Sequence, residues 1–431
     1  MISRREFLTR LGAGSFVALA PVSSRAATLP RVVVVGGGMA GAAAAKYLRL
    51  WSGKAIDVTL VEKESRYTSN IMSNLVVTGQ RSLSSLYFGY SNLVNNYGIK
   101  LVRGQVTAVT PGSVSGTWKV TLANTTTPLE CDRVVLAPGI EFDAIPDLND
   151  PRKSAPILHA WHAGPQTDLL RQKLAAMPAG GTFVMTIPPK PYRCPPGPYE
   201  RACVVADYLK RNKPGSKVIV LDANPGITAE PESFGNAFEN MYGDILEYQT
   251  DTMIEAVDAV SGTVKTSWNE LVHADVLNVI PPHRAGGIVQ AVGLANATTV
   301  PFAAVDVRSF ESTQLGGIHV LGDSSNTTLP KAGHVGNQGA KICAAAIINA
   351  FNFKAPEPYP TANSACYSPI SSTLASWLTV VYRYDAATGK MVASNGTLSS
   401  VGSATEASKP STENFSKMNT WFKTLMAETF S

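Results

Sequence analysis

The sequence lacks three features, and each absence removes a class of protein. After residue 27 no apolar run approaches the length needed to cross a bilayer, which predicts a soluble mature chain. No CxxCH motif is present, so the chain does not itself attach a c-type haem. Four arginines and one glutamate lie in residues 1–27, and the remaining charges are nearly balanced. This balance excludes the basic surface of a nucleic-acid-binding protein.

Residues 1–27 have the pattern of an export signal. They contain the pair Arg4 and Arg5, a following Phe-Leu, a modest apolar stretch and a small-residue exit. The stretch is too short to span a membrane, and the arginine pair is typical of the twin-arginine route. We therefore expect cleavage near Ala27 and a periplasmic mature protein.

Cysteine is scarce, with five residues in 431. An oxidising compartment permits disulfides, but the odd number leaves one thiol unpaired. Cys131 sits beside a strand pattern, and Cys203 and Cys343 lie in apolar helical patterns, so we expect all three to be buried small hydrophobic residues. The remaining two, Cys194 and Cys366, lie in unusual segments described below.

The segment RVVVVGGGMAGAAAAKYLRL predicts a dinucleotide site. Its four valines form a strand pattern, Gly36, Gly38 and Gly41 follow in the GxGxxG frame, and an alanine-rich helix comes next. A second strand ends on Glu62, about twenty residues beyond the last glycine, where an acid binds a ribose. The chain length and 45% hydrophobic content favour an α/β enzyme of two or three domains.

A later segment favours FAD over NAD as the dinucleotide. GGIHVLGDSSN places Asp323 at the end of a strand, and a glycine-interrupted helix follows with Lys331 at its mouth. In two-domain flavin reductases such an aspartate bonds the ribityl chain. We expect Lys331 to stabilise negative charge on the flavin pyrimidine. A helix-capping aspartate and a solvated lysine are the alternative interpretations.

The middle of the chain repeats the strand, loop and helix pattern but without its glycines. After TFVMTI the loop carries six prolines between residues 188 and 198, and proline removes the backbone N–H groups that bind phosphate. The loop carries Cys194, whose thiol we expect to be acidified by the following helix. Glu200 follows six residues later as a candidate proton acceptor, or as a solvent-facing glutamate of the first helical turn.

Six segments, among them YRCPPGPYERA, NVIPPHRAG and ACYS, resemble the flavoprotein subunit of flavocytochrome c sulfide dehydrogenase. The resemblance implies a glutathione-reductase-like α/β fold of tandem Rossmann-type domains, with FAD in the first. It further implies a redox-active disulfide between Cys194 and Cys366, with Glu200 as proton acceptor. Electrons would leave through a separate c-type cytochrome subunit, since this chain has no haem motif.

The predicted organisation has four parts. Residues 1–27 are the signal, 30–145 and 271–352 form the FAD domain, and 146–270 form a nicotinamide-domain-like unit without its phosphate loop. Residues 353–431, which contain Cys366, form an α+β region facing the cytochrome.

One position departs from the family pattern. Relatives commonly link FAD through a cysteine four residues before the asparagine of a Ser-Asn pair, and counting back from Asn74 gives Asn70. Because asparagine cannot form a thioether, we expect FAD to be bound without a covalent link.

The sequence therefore predicts a periplasmic FAD-dependent sulfide dehydrogenase of sulfur oxidation, in which hydrosulfide attacks the disulfide and electrons pass through FAD to the cytochrome. Two alternatives remain. A sulfide:quinone oxidoreductase would need an amphipathic membrane-binding end. A non-catalytic FAD-bearing binding subunit would use the disulfide only as a structural link.

Overall fold

The computed structural model describes residues 29–123, 125–145, 157–296, 299–394 and 404–431. The predicted twin-arginine signal and its cleavage position near Ala27 lie outside these residues.

Strands and helices are interspersed through the first three quarters of the chain, with long runs of consecutive strands over residues 100–142 and 246–285. In chain order the strands are β1 (Arg31–Val35), β2 (Asp57–Glu62), β3 (Tyr67–Thr68), β4 (Tyr87–Phe88), β5 (Lys100–Arg103), β6 (Val106–Pro111), β7 (Trp118–Leu122), β8 (Leu129–Cys131), β9 (Arg133–Leu136), β10 (Ile140–Phe142), β11 (Thr182–Ile187), β12 (Lys217–Asp222), β13 (Leu246–Gln249), β14 (Ile254–Asp258), β15 (Thr263–Thr266), β16 (Leu271–His273), β17 (Val276–Val279), β18 (His283–Ala285), β19 (Ala303–Asp306), β20 (Glu311–Ser312), β21 (Ile318–Val320), β22 (Ser325–Asn326), β23 (Thr361–Pro369), β24 (Ala375–Asp385), β25 (Lys390–Ala393) and β26 (Thr405–Glu406).

The α-helices are α1 (Met39–Trp51), α2 (Ser73–Val77), α3 (Ser91–Tyr97), α4 (Pro165–Ala176), α5 (Gly197–Asn212), α6 (Pro231–Asn236), α7 (Gly287–Ala291), α8 (Gly333–Phe351) and α9 (Thr412–Phe430). Within the residues that the structure describes, two 3₁₀ turns, Leu83–Leu86 and Gly322–Ser324, and one π turn, Ala237–Met241, complete the helical segments.

The first sheet has the strand order β22-β19-β20-β21-β9-β1-β2-β5. Its centre is parallel, with β1 between β9 and β2. The valines of β1 are all buried, as expected for a parallel strand whose two faces are covered by helices. Strands β1, β2, β5 and β9 from the first third of the chain and strands β19 to β22 from residues 303–326 build this one sheet, so the polypeptide leaves the first domain and returns to it.

Helices α1 and α8 pack against each other beside this sheet. Small residues permit the close approach: Ala42 to Ala45 are completely buried, and an added Cβ on Gly336 would lie 3.3 Å from the Ala40 side chain. The N-termini of both helices therefore point into the same region, where a dinucleotide would lie.

The middle domain has the parallel sheet β13-β12-β11-β17 and a separate antiparallel sheet β14-β15-β16. Strand β17 pairs with β11, so the middle domain extends past the boundary predicted at residue 270. The middle domain ends later than predicted because the chain adds β17 to the middle sheet before it returns to the first sheet with β19 to β22.

The last region consists of the antiparallel strands β23 to β26 and helix α9. The expected α/β fold of tandem Rossmann-type domains with a C-terminal α+β region is confirmed. Among the helices of the described ranges, none is both long and apolar enough to cross a membrane.

Candidate active site

The glycine-rich turn after β1 is shaped by close backbone contacts. Gly36 has φ +100°, and a Cβ there would lie 2.4 Å from the Ala137 carbonyl oxygen. A Cβ on Gly41 would lie 1.8 Å from the Gly36 carbonyl oxygen, so only glycine lets α1 approach the strand. A Cβ added on Gly38 would meet no atom closer than 3.9 Å, which leaves open space at the start of α1. This space fits a pyrophosphate approaching the helix N-terminus.

Glu62 lies at the end of β2, and its carboxylate accepts a hydrogen bond from the Gly37 N–H at 2.6 Å. The predicted ribose-binding acid is therefore next to the predicted phosphate-binding turn. The described residues fit the adenosine half of a dinucleotide.

Asp323 and Lys331 meet near the start of α8. They line a small pocket together with Gly322 and Gly336. The Lys331 ammonium donates to the carbonyl oxygens of Asp323 at 2.9 Å and Ser325 at 2.8 Å. Burial lowers the pKa of Lys331 to about 8. Asp323 is half-buried; burial raises the pKa of its carboxyl group, and the positive charges of Arg193 and Lys331 act in the opposite direction. An acid and a cation at this place fit the ribityl and pyrimidine part of a flavin.

The proline-rich loop places Cys194 next to this pocket. Cys194 has φ 60°, which is uncommon for a residue other than glycine. Its N–H donates to the Lys331 carbonyl oxygen at 2.7 Å, and its carbonyl oxygen accepts from the Gly197 N–H at 2.8 Å. The loop thus connects the first turn of α5 directly to the residues predicted to bind flavin.

Cys366 reaches the same region from the C-terminal sheet. It lies in the middle of β23, and the N–H of the preceding Ala365 donates to Nδ1 of His334 at 3.0 Å. His334 is in the first turn of α8, beyond Lys331. Both Cys194 and Cys366 are half-buried free thiols, and negative charge on Cys194 raises the pKa of Cys366. Cys194 and the residue before Cys366 therefore both bond to the start of α8, at Lys331 and His334.

The expected acidity of Cys194 is wrong for this structure. Burial, followed by the negative charge of Glu200, raises the pKa of the Cys194 thiol to about 12. A hydrogen bond from the Gly197 backbone and the positive charge of Arg193 act in the opposite direction but do not compensate. The helix N-terminus is a weaker influence here than desolvation of the sulfur.

Glu200 is buried, which removes the solvent-facing alternative. It accepts a hydrogen bond from Asn74 Nδ2 at 2.9 Å, and Asn74 also donates to the Gly197 carbonyl oxygen. Burial raises the pKa of Glu200 to about 8. A carboxyl group that titrates near neutral pH beside a sulfur atom suits proton transfer.

Arg201 organises the surroundings of this carboxyl group. Its completely buried guanidinium donates to Asn74, Asn278 and the carbonyl oxygens of His159 and Ala160, at 2.7 to 2.9 Å. It also lies 4.6 Å from the centre of the Trp161 ring. One side chain thereby connects α2 of the first domain with α5 and β17 of the middle domain.

Asn70, at the position of the linking cysteine in relatives, also bridges the two domains. Its Oδ1 accepts a hydrogen bond from the Ala163 N–H at 2.8 Å. The side chain therefore has a structural partner within the protein.

The acid at the end of β12 is not available to a ribose. Asp222 is completely buried, and its carboxylate accepts hydrogen bonds from the hydroxyl groups of Tyr199 and Tyr248, each at 2.8 Å. In the middle domain the loop at the phosphate-binding position therefore carries Cys194, and the acid at the ribose-binding position, Asp222, bonds two tyrosines.

The remaining cysteines are buried as expected: Cys131, Cys203 and Cys343 are all completely buried. Sequence reasoning missed Arg193, Arg201 and Glu230. The first two lie inside the YRCPPGPYERA segment and could have been found there. Glu230 lies in a segment with no motif, and only the fold brings it near Cys366.

Three family models of oxidoreductases match successive segments of the chain. Residues 167–281 match the central-domain model of the sulfide dehydrogenase (flavocytochrome c) flavoprotein chain. Residues 358–430 match the flavin-binding model of flavocytochrome c sulphide dehydrogenase. Residues 30–161 match the pyridine nucleotide-disulphide oxidoreductase model.

Several solved structures have the same fold. The sulfide:quinone oxidoreductase of Aquifex aeolicus has a TM-score of 0.74 at 17% identity, with 93% of this chain and 91% of that chain covered. An NAD-dependent persulfide reductase from A. fulgidus has a TM-score of 0.57 at 14% identity, with 92% and 77% covered. At these identities the likeness concerns the fold alone.

Proposed function

We propose that this chain, which belongs to the family of flavocytochrome c sulfide dehydrogenase flavoprotein chains, is a periplasmic enzyme that oxidises sulfide with FAD and a disulfide between Cys194 and Cys366. Family membership makes the chain a flavin disulfide oxidoreductase. A bound FAD would supply the electron transfer from the thiols to a separate c-type cytochrome.

One observation supports the proposal above others. Cys194 and Cys366 come from remote segments, yet both lie against the start of α8, through Lys331 and His334. A disulfide that served only as a link would not need to be next to the residues that suit a flavin. This placement is the observation against the binding-subunit alternative.

The reaction begins when hydrosulfide attacks one sulfur of the disulfide. A new S–S bond forms between the substrate sulfur and Cys194, the bond to Cys366 breaks, and its electron pair stays on the Cys366 sulfur. Glu200, beside Cys194, accepts the proton carried by the incoming sulfur. Gly36, Gly38, Glu62, Asp323 and Lys331 would hold FAD, which would supply the capacity to take up electron pairs and to release single electrons.

Rapid mixing of the purified holoenzyme with sulfide tests this function. We expect flavin absorbance to bleach in the natural protein and to bleach roughly a hundredfold more slowly, or not at all, in C194A and C366A. The control is C131A, which removes a buried thiol far along the chain in β8. Equal bleaching in C194A, C366A and the control would contradict the proposed role of the thiols.

The electron acceptor distinguishes the cytochrome proposal from the quinone alternative. In α9 the apolar residues Phe422, Leu425, Met426 and Phe430 are buried within the protein, so this helix does not offer them to a membrane. We expect sulfide-dependent reduction of a c-type cytochrome, no reduction of a soluble quinone, and no flotation with lipid vesicles. Rapid quinone reduction with vesicle binding would reverse the assignment.

We propose that FAD is bound without a covalent link, because Asn70 offers no thiol and already bonds Ala163. Acid precipitation should leave the flavin in the supernatant. Flavin that remained with the polypeptide would show a link elsewhere in the chain.

Export is tested separately from catalysis. We expect that the double substitution R4K/R5K retains the protein in the cytoplasm and leaves its length unprocessed. Normal processing of that variant would exclude the twin-arginine route.

A further inference from the structure

A second buried carboxyl group, that of Glu230, lies between the middle domain and the C-terminal sheet. Glu230 is completely buried at the start of α6. Its Oε1 accepts a hydrogen bond from the Ser368 hydroxyl at 2.6 Å. Its Oε2 is buried and has no hydrogen-bond partner within the described ranges. A half-satisfied carboxylate of this kind is costly to bury and rarely occurs without a role.

Ser368, which bonds Glu230, lies on the same strand as Cys366 and so places Glu230 near that thiol. Both Ser368 and Cys366 lie on β23, two residues apart, and alternate residues of a strand point to the same face. Their Cα atoms are therefore about 7 Å apart along the strand. Negative charge on Glu230 raises the pKa of Cys366, after burial and the charge of Cys194.

The two sulfur atoms thus have different carboxyl neighbours. Glu200 is the first charged group to act on Cys194, whereas Glu230 precedes Glu200 in its effect on Cys366. The mechanism above uses Glu200 but gives no role to Glu230.

We propose that Glu230 is a positioning residue whose charge controls formation of the Cys366 thiolate, so that the sulfide reaction proceeds while this carboxyl group is neutral. This inference rests on the proposed function. When hydrosulfide bonds to Cys194, the electron pair of the broken S–S bond goes to Cys366, and total charge is conserved without a proton leaving Glu230. An ionised Glu230 would place a second negative charge near that new thiolate.

Glu230 changes its charge near neutral pH, within the range in which the thiol reaction is tested. Burial raises the pKa of Glu230 to about 7, against the opposing influence of the Ser368 and Ser376 hydroxyl groups. The other ionisable groups that face it are Glu200 and Cys203 of α5, Cys366 of β23 and Glu406 of β26.

Glu406 gives this carboxyl group a neighbour nearer the surface. Glu406 is half-buried, and its two oxygens accept from the N–H groups of Glu232 and Ser233 at 3.2 and 3.4 Å. Negative charge on Glu406 raises the pKa of Glu230.

The test measures thiol reactivity and uses neither sulfide nor an electron acceptor. The dithiothreitol-reduced holoenzyme is treated with iodoacetamide at pH 5.5 to 9, and alkylation of the Cys366 peptide is followed by mass spectrometry. In E230Q, we expect alkylation of Cys366 at pH 8.5 to be about tenfold faster than in the natural protein, with little difference at pH 5.5. A purely structural role would change alkylation at every pH.

The matched control is E232Q, which neutralises an exposed carboxyl group two residues further along α6. E232Q should leave the pH profile of Cys366 alkylation unchanged.

If E230Q does not retain FAD, the variant S368A is tested in its place. Loss of the Ser368 hydrogen bond favours neutral Glu230 and should accelerate alkylation in the same direction.

An unchanged pH profile in the folded variant would overturn the inference. Because the assay requires no sulfide oxidation, a protein that alkylates as expected but fails to bleach with sulfide would refute the proposed function alone.

Discussion

Two carboxyl groups, those of Glu200 and Glu230, lie in the buried region around Cys194 and Cys366. Burial is the largest cause of the raised pKa at both acids and both thiols. The local sequence predicts a lowered pKa for the Cys194 thiol, because the only influence visible in it is the N-terminus of the following helix. At the residue scale the surrounding protein, more than the nearest turn of helix, decides which proton each group keeps.

The pKa of Glu200 predicts a pH dependence of stability. Its pKa is raised from 4.5 to about 8 in the folded state, so the folded protein binds this proton more tightly than the unfolded chain. Stability from this group is fully present below about pH 4.5 and is lost as pH rises toward 8, with a slope of at most about 1.4 kcal/mol per pH unit.

In E200Q we expect a flatter decline of the free energy of unfolding between pH 5 and 8, because glutamine stays neutral while its amide oxygen can still accept from Asn74. Urea unfolding at several pH values measures the free energy of unfolding. E239Q, at an exposed position of the same domain, is the control. An equally steep decline in E200Q would show that Glu200 titrates normally.

At the scale of elements, the contact between β1 and α1 depends on one missing side chain. A Cβ on Gly41 would overlap the Gly36 carbonyl oxygen at 1.8 Å, and that oxygen is backbone and cannot move aside. Any larger residue must push α1 away from the strand. The N-terminus of α1 would then leave the position where it faces the pyrophosphate.

We expect G41A to lose FAD, with at least a tenfold lower flavin-to-protein absorbance ratio after purification. The matched control is G89A, since a Cβ at Gly89 meets nothing within 4 Å. Normal flavin content in G41A would contradict the assigned position of the cofactor.

At the scale of the whole molecule, the C-terminal helix returns to the first domain. Phe430 is buried, with its ring centre 5.0 Å from that of Tyr67, 5.7 Å from Phe88 and 6.2 Å from Tyr90. The Lys46 ammonium donates to the carbonyl oxygens of Glu428 and Ser431. The end of the chain therefore contributes to the stability of the domain that its beginning forms.

For F430A we predict a loss of about 3 to 5 kcal/mol in the free energy of unfolding, as for other buried phenylalanines. Denaturant unfolding of the holoenzyme measures it. F353A, at a 99% exposed phenylalanine, should change stability by less than about 0.5 kcal/mol. Similar effects of both substitutions would show that α9 does not stabilise the first domain.

Much of the fold could be predicted because its signals are local. The valines of β1, the glycines at 36, 38 and 41, and the prolines around Cys194 each impose a conformation through their own sterics. The domain boundary at residue 270 was wrong because pairing of β17 with β11 depends on residues almost a hundred positions apart. No local pattern encodes such a pairing.

The sequence by itself determined the chemistry available to this protein: a flavin-type dinucleotide frame, a middle domain without its phosphate loop, and two cysteines in segments unlike the apolar patterns that hold the other three. Only the tertiary structure decided the proton affinities of the site and the identity of its second carboxyl group. Desolvation and charge act through space, so Glu230 and Arg201 acquire their roles only when distant segments pack around Cys194 and Cys366.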